Sequence, residues 1–165
     1  MDSINILIVG SGHYSTGSTM ISGTKETDKD FGVLLPTVLE LKTKGLVGEV
    51  AIVAKDGIRL DKLKPKFLQM SKIFGWDNVI RLFPDKDTIN SNAYIEAIKM
   101  MPKPCAVLIA VPDFMHDKVI ACCIENNNPF MVVKPAVTEI NTLYTLLDKL
   151  KKNPVVAMVD YHKVY

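Results

Sequence analysis

The chain has 165 residues, 48% of them hydrophobic, and a formal net charge of +2. That length and composition suit one domain with a sizeable packed core and exclude a disordered chain. Lysines and acids are mixed along the sequence, which excludes a basic stripe for nucleic acid, and no apolar run approaches the length of a bilayer crossing.

In chain order, the first informative stretch is INILIVGSG at residues 4–12. Its apolar run predicts a buried first strand of about six residues. Gly10 suits the tight turn that follows, and Gly12 lets a backbone approach a pyrophosphate with no Cβ in the way. A polar loop rich in Gly, Ser and Thr is predicted over residues 11–29. The next helix carries Val33, Leu34, Val38, Leu39 and Leu41 and stops at Gly45, with Pro36 blurring its start. Residues 49–54 predict a second strand, and residues 61–74 a helix interrupted by Pro65. A short third strand is predicted at 79–83. A helix follows at 94–101, ended by Pro102 and Pro104. The almost wholly apolar run at 105–111 reads as a central parallel strand. Residues 113–127 predict a helix with Asp113 as its candidate N-cap. A fifth strand is predicted at 130–133, a helix opened by Thr138 and Glu139, and a sixth strand at 155–159.

This alternation predicts an α/β fold: a doubly wound parallel sheet, Rossmann-like, of about six strands with helices on both faces, formed by residues 1–165. Such sheets bind ligands at the carboxyl ends of their strands. The positions of interest are therefore 10–12, 54–57, 112–116, 134–135 and 160–163. Cys105, Cys122 and Cys123 are odd in number, sit in apolar segments and form no C-x-x-C. Asp2 and the early glycines make a poor secretory signal. Buried, reduced thiols in a cytoplasmic protein are the expectation. His13, His116 and His162 come from separate segments without metal-ligand spacing, so no metal is expected. Asp30-Phe31-Gly32 matches a kinase motif by letters only, since no H-R-D loop accompanies it.

Three strand ends together resemble one family. Val111-Pro112-Asp113-Phe114-Met115-His116 resembles its [TV]-P-N-x-x-H turn, Val133-Lys134-Pro135 resembles its E-K-P turn, and the run from Val159 through Asp160, Tyr161, His162 and Lys163 to Tyr165 resembles its interdomain segment. The family is that of glucose–fructose oxidoreductase and inositol dehydrogenase (Gfo/Idh/MocA), and the resemblance covers nearly the whole chain. It implies NAD or NADP as cofactor, oxidation or reduction of a hydroxyl or carbonyl on a sugar, polyol or related small molecule, and a second, antiparallel substrate domain after residue 165. No nucleic acid or membrane partner is expected, and a homo-oligomer of the full-length protein is left open.

The resemblance implies that Lys134 is catalytic, its ammonium donating to the substrate oxygen; the plain alternative is a surface lysine at a turn. Pro112 and Asp113 would shape the wall beside the nicotinamide, and Val111, Lys134 and Pro135 are also expected to bind the cofactor. His116 either contacts the nicotinamide ribose or sets the turn. Tyr161, His162 and Lys163 either touch substrate or form a solvated hinge. His13 and Tyr14 either line the phosphate site or are plain loop polarity. Ser15 stands where G-x-G-x-x-G has its third glycine, and Val133 replaces the glutamate of E-K-P. At the end of the second strand, Lys55 and Arg59 suit the 2′-phosphate of NADP, whereas a slip of one residue puts Asp56 there and suits NAD. Two other functions compete with the oxidoreductase: a non-catalytic dinucleotide-binding or sensing module, and a methyltransferase, which would leave Lys134-Pro135 unexplained. The chain has no Y-x-x-x-K of a one-domain dehydrogenase.

Overall fold

A computed structural model describes residues 3–17, 32–77 and 80–161. Within them lies one six-stranded, all-parallel sheet of order β3-β2-β1-β4-β5-β6. The strands are β1 (Ile4–Val9), β2 (Val47–Val53), β3 (Ile80–Phe83), β4 (Cys105–Ile109), β5 (Phe130–Val133) and β6 (Ala157–Asp160). The helices are α1 (His13–Thr16), α2 (Leu34–Thr43), α3 (Gly57–Ile73), α4 (Ala93–Met100), α5 (His116–Glu125) and α6 (Ile140–Lys152). The α/β class and the doubly wound parallel sheet are as predicted.

The two-residue alternation of the strands divides the core into two layers. Ile6, Ile8, Val50 and Ile52 face α2 and α3, packing on Leu35, Leu39, Leu60, Phe67 and Met70. Leu7, Val9, Val107 and Ile109 face the other way, onto α4 and α5, with Leu146 of α6 joining them. The chain winds outward to β2 and β3 from one side of β1 and then restarts at β4 on its other side. This reversal leaves a crevice above the tips of β1 and β4, where ligands of such sheets bind.

Local departures from the predicted elements have physical causes. α3 starts at Gly57, four residues before the predicted 61, because Asp56 caps it, accepting from the Arg59 N–H at 3.0 Å. Pro65 lies inside α3 without interrupting it. It removes one donor, which the burial of Leu60, Phe67 and Met70 on the same helix outweighs. Pro36 is the third residue of α2, where its missing N–H would have had no intrahelical partner. Asp113 does not cap a helix. Residues Asp113–Met115 form a 3-10 turn without a side-chain cap, and α5 begins at His116. Of the third strand as predicted, Val79 lies outside the described residues. β6 pairs one to two residues later than predicted.

The predicted loop over 11–29 opens as a helical turn, with the Thr16 N–H donating to Gly12 O at 2.9 Å and the Gly17 N–H to His13 O at 2.8 Å. The chain is next described at Gly32, in the same place. A Cβ on Gly32, which has φ +73, would fall 2.6 Å from Gly17 N and 2.7 Å from Thr16 N. The Val33 N–H then donates to Tyr14 O at 2.7 Å.

Candidate functional site

The crevice is built from the turns that follow the strands. Gly10 N–H donates to Val53 O at 2.8 Å and Ala110 N–H to Val9 O at 2.9 Å, so the tips of β2, β1 and β4 end level. Gly10 has φ +111, and a Cβ there would sit 2.2 Å from the Ala110 carbonyl oxygen. Only glycine fits that turn. Gly12 is different: it is extended, at φ −79 and ψ −173, and nothing lies within 4 Å of where its Cβ would be. The first glycine is required by the protein itself, and the second leaves open space beside the backbone. Ser15 is fully buried in α1, and its hydroxyl has no hydrogen-bond partner among the described residues. The position asks for a small residue and tolerates serine at some cost.

His116 is completely buried. Its Nδ1 lies 2.7 Å from Pro135 O and its Nε2 2.9 Å from Val111 O. Both partners only accept, so the neutral ring donates an N–H to one of them and the doubly protonated ring to both. The ring ties the turn after β4 to the turn after β5. Pro112 and Val111 lie on the first of these turns, Lys134 and Pro135 on the second. Lys134 is exposed and, among the described residues, its ammonium forms no ion pair.

Tyr14 crosses the crevice. Its hydroxyl donates to Asp160 Oδ2 at 2.5 Å, joining the turn after β1 to the end of β6, three strands away. Burial, with the Asp160 carboxylate adding to it, pushes the Tyr14 phenol up to about 12. A phenol raised above its unfolded value of about 10 contributes stability below that pH and loses it as the pH rises through the folded value. Tyr14 is therefore expected to give a late component, near pH about 12, in an alkaline ultraviolet titration. Tyr14→Phe should remove both the late component and the loss of stability between pH about 10 and about 12. A titration curve unchanged by Tyr14→Phe would contradict this.

Other predicted residues sit as follows. Lys55 and Asp56 follow β2, with Lys55 exposed and Asp56 folded onto α3 as its cap. His13 opens α1 beside Gly12. Tyr161 is 61% exposed just beyond β6. His162 and Lys163 lie outside the described residues. The pairing of Asp160 with Tyr14, 146 residues away, has no local signal. The three cysteines are free and buried. Burial pushes Cys105 up to about 11 and raises Cys122 and Cys123, so all three pack as small apolar groups. Among the described residues no group of three or more His, Cys, Asp or Glu is placed to hold a metal ion, and no helix is long and apolar enough to cross a membrane.

No protein-family model and no curated protein matches the sequence. Solved structures do match the fold. An NAD binding oxidoreductase from Klebsiella pneumoniae superposes with a TM-score of 0.63 at 12% identity, over 98% of this chain and 35% of that one. A probable dehydrogenase from Thermotoga maritima gives 0.63 at 16% identity, over 97% of this chain and 36% of that one. A 3-ketoreductase from Actinomadura kijaniata, in complex with TDP-benzene and NADP, gives 0.60 at 12% identity, over 96% and 38%. The chain shares the fold of NAD(P)-binding oxidoreductases. It spans a little over a third of the length of each of these structures.

Proposed function

We propose that this chain is the nucleotide-binding domain of an NAD(P)-dependent oxidoreductase of the Gfo/Idh/MocA type, acting on a hydroxyl or carbonyl of a sugar, polyol or related small molecule in the cytoplasm. The observation that carries the reading is the glycine corner at the β1–β4 reversal: Gly10 locked by its neighbour's carbonyl, Gly12 beside open space. That space fits a diphosphate approaching backbone N–H groups. Residues 10–14 would hold the diphosphate, Val111, Pro112 and Pro135 the nicotinamide end, and Lys55 the adenosine ribose end. The bound nicotinamide would supply hydride chemistry. Lys134 would donate to the substrate oxygen, and the His116 tie would keep its turn aligned with the turn after β4. Val156, Met158 and Tyr161 at the β6 edge are 58–66% exposed. An apolar edge of that kind supports a second domain packing there. Val133, in place of the glutamate of E-K-P, favours one rival, a dinucleotide-binding module without catalysis.

The test is a titration of the chain with NADH and NADPH, followed by nicotinamide fluorescence. Saturable binding of at least one, with a Kd below about 1 mM, is expected. Gly12→Ala should weaken it at least about tenfold, while costing the fold no more than about 1 kcal/mol of capping. Absence of binding to both would overturn the proposal. Binding by the complete protein without turnover of any hydroxyl or carbonyl substrate would favour the module.

A further inference from the structure

We infer that the site, on the reading proposed above, takes NADP in preference to NAD, and that Lys55 makes the distinction. The two cofactors differ only at the adenosine ribose, where NAD carries a hydroxyl and NADP a phosphate. A dinucleotide fold holds the ribose hydroxyls with a carboxylate at the tip of its second strand, and a cation there accommodates the phosphate instead.

The tip of β2 is level with the glycine turn, and it continues through Ala54, Lys55 and Asp56. Asp56 is the one carboxylate in that stretch, and it is committed elsewhere. Its Oδ1 accepts from the Arg59 N–H, which folds the carboxylate back over the first turn of α3. Its backbone pairs with Ile89 in an isolated antiparallel bridge. Two further bonds hold the same stretch: Gly57 N–H donates to Thr88 O at 2.9 Å and Asn90 N–H to Lys55 O at 2.8 Å. A Cβ on Gly57 would fall 2.0 Å from the Asp85 carbonyl oxygen, so no other residue can take that place. This clasp rules out the slip of one residue that would bring Asp56 to the tip.

Lys55 holds the tip position. Its side chain is exposed and forms no ion pair among the described residues. The nearby acids Asp61, Asp85 and Asp87 line a cleft of about 380 Å³ between α3 and the loop after β3, together with Lys64 and Lys86, and Lys55 is not part of that lining. A phosphate monoester carries close to two negative charges near neutral pH, so an unpaired ammonium favours it and a carboxylate would repel it.

The test titrates the chain and three variants with NADPH and NADH in parallel. The wild type should bind NADPH at least about tenfold more tightly than NADH, and added salt should narrow the gap. Lys55→Ala should cost NADPH about tenfold and leave NADH unchanged, and Lys55→Asp should reverse the preference. Asp56→Asn keeps a capping side chain and should leave both affinities where they were. Equal binding of the two, tighter NADH, or a loss of NADH binding in Asp56→Asn would overturn the inference while leaving the proposed function standing. Absence of binding to either cofactor would bring both down.

Discussion

Replacing His116 with leucine should destabilise the domain by about 3 kcal/mol. Leucine fills most of the space but donates nothing. Of the carbonyls of Val111 and Pro135, which lie 2.9 and 2.7 Å from the ring nitrogens, at least one would lose its donor inside a site the ring fills at zero exposure. Each buried carbonyl left without a partner costs about 1–3 kcal/mol. Urea unfolding followed by circular dichroism measures the loss. His116→Asn, which can still donate one bond, should recover part of it. A leucine variant within about 1 kcal/mol of the wild type would show that the two turns do not depend on the ring for their alignment.

The larger effect is expected at Gly10. Gly10→Ala places a methyl 2.2 Å from the Ala110 carbonyl oxygen, in a backbone at φ +111. Neither atom is the flexible end of a side chain, so β1 or β4 must shift. The cost should be about 4 kcal/mol or more, and the variant should be recovered unfolded or not at all. Gly12→Ala, two residues on, is the internal control, because nothing lies within 4 Å of its new methyl. A thermal melt of the pair separates the two kinds of glycine. Equal melting temperatures would mean that the corner yields and that Gly10 has no special place in it.

Much of this architecture is legible in the amino-acid order because parallel strands buried on both faces leave nearly unbroken apolar runs. The apolar run at 130–133 coincides with β5, and the glycines that follow Ile4–Val9 mark where β1 ends. Capping and packing decided what composition could not. Asp56 caps α3 through the Arg59 N–H, and Pro65, which predicts a break, is absorbed by a helix anchored through Leu60, Phe67 and Met70. The turn after β5 was marked by Lys134-Pro135, yet nothing near it in sequence announces that Pro135 O meets His116. The Tyr14–Asp160 bond is the extreme case, since its partners are 146 positions apart and meet only because the sheet order carries β6 to the edge.

The meeting of Gly17 and Gly32 makes α1 a shared anchor for two separate stretches of backbone. Both are fixed by bonds to the same turn: Gly17 N–H to His13 O, and Val33 N–H to Tyr14 O. A side chain at position 32 would press on the Thr16 and Gly17 backbone, so damage there would carry through one helical turn to the Gly10–Gly12 corner.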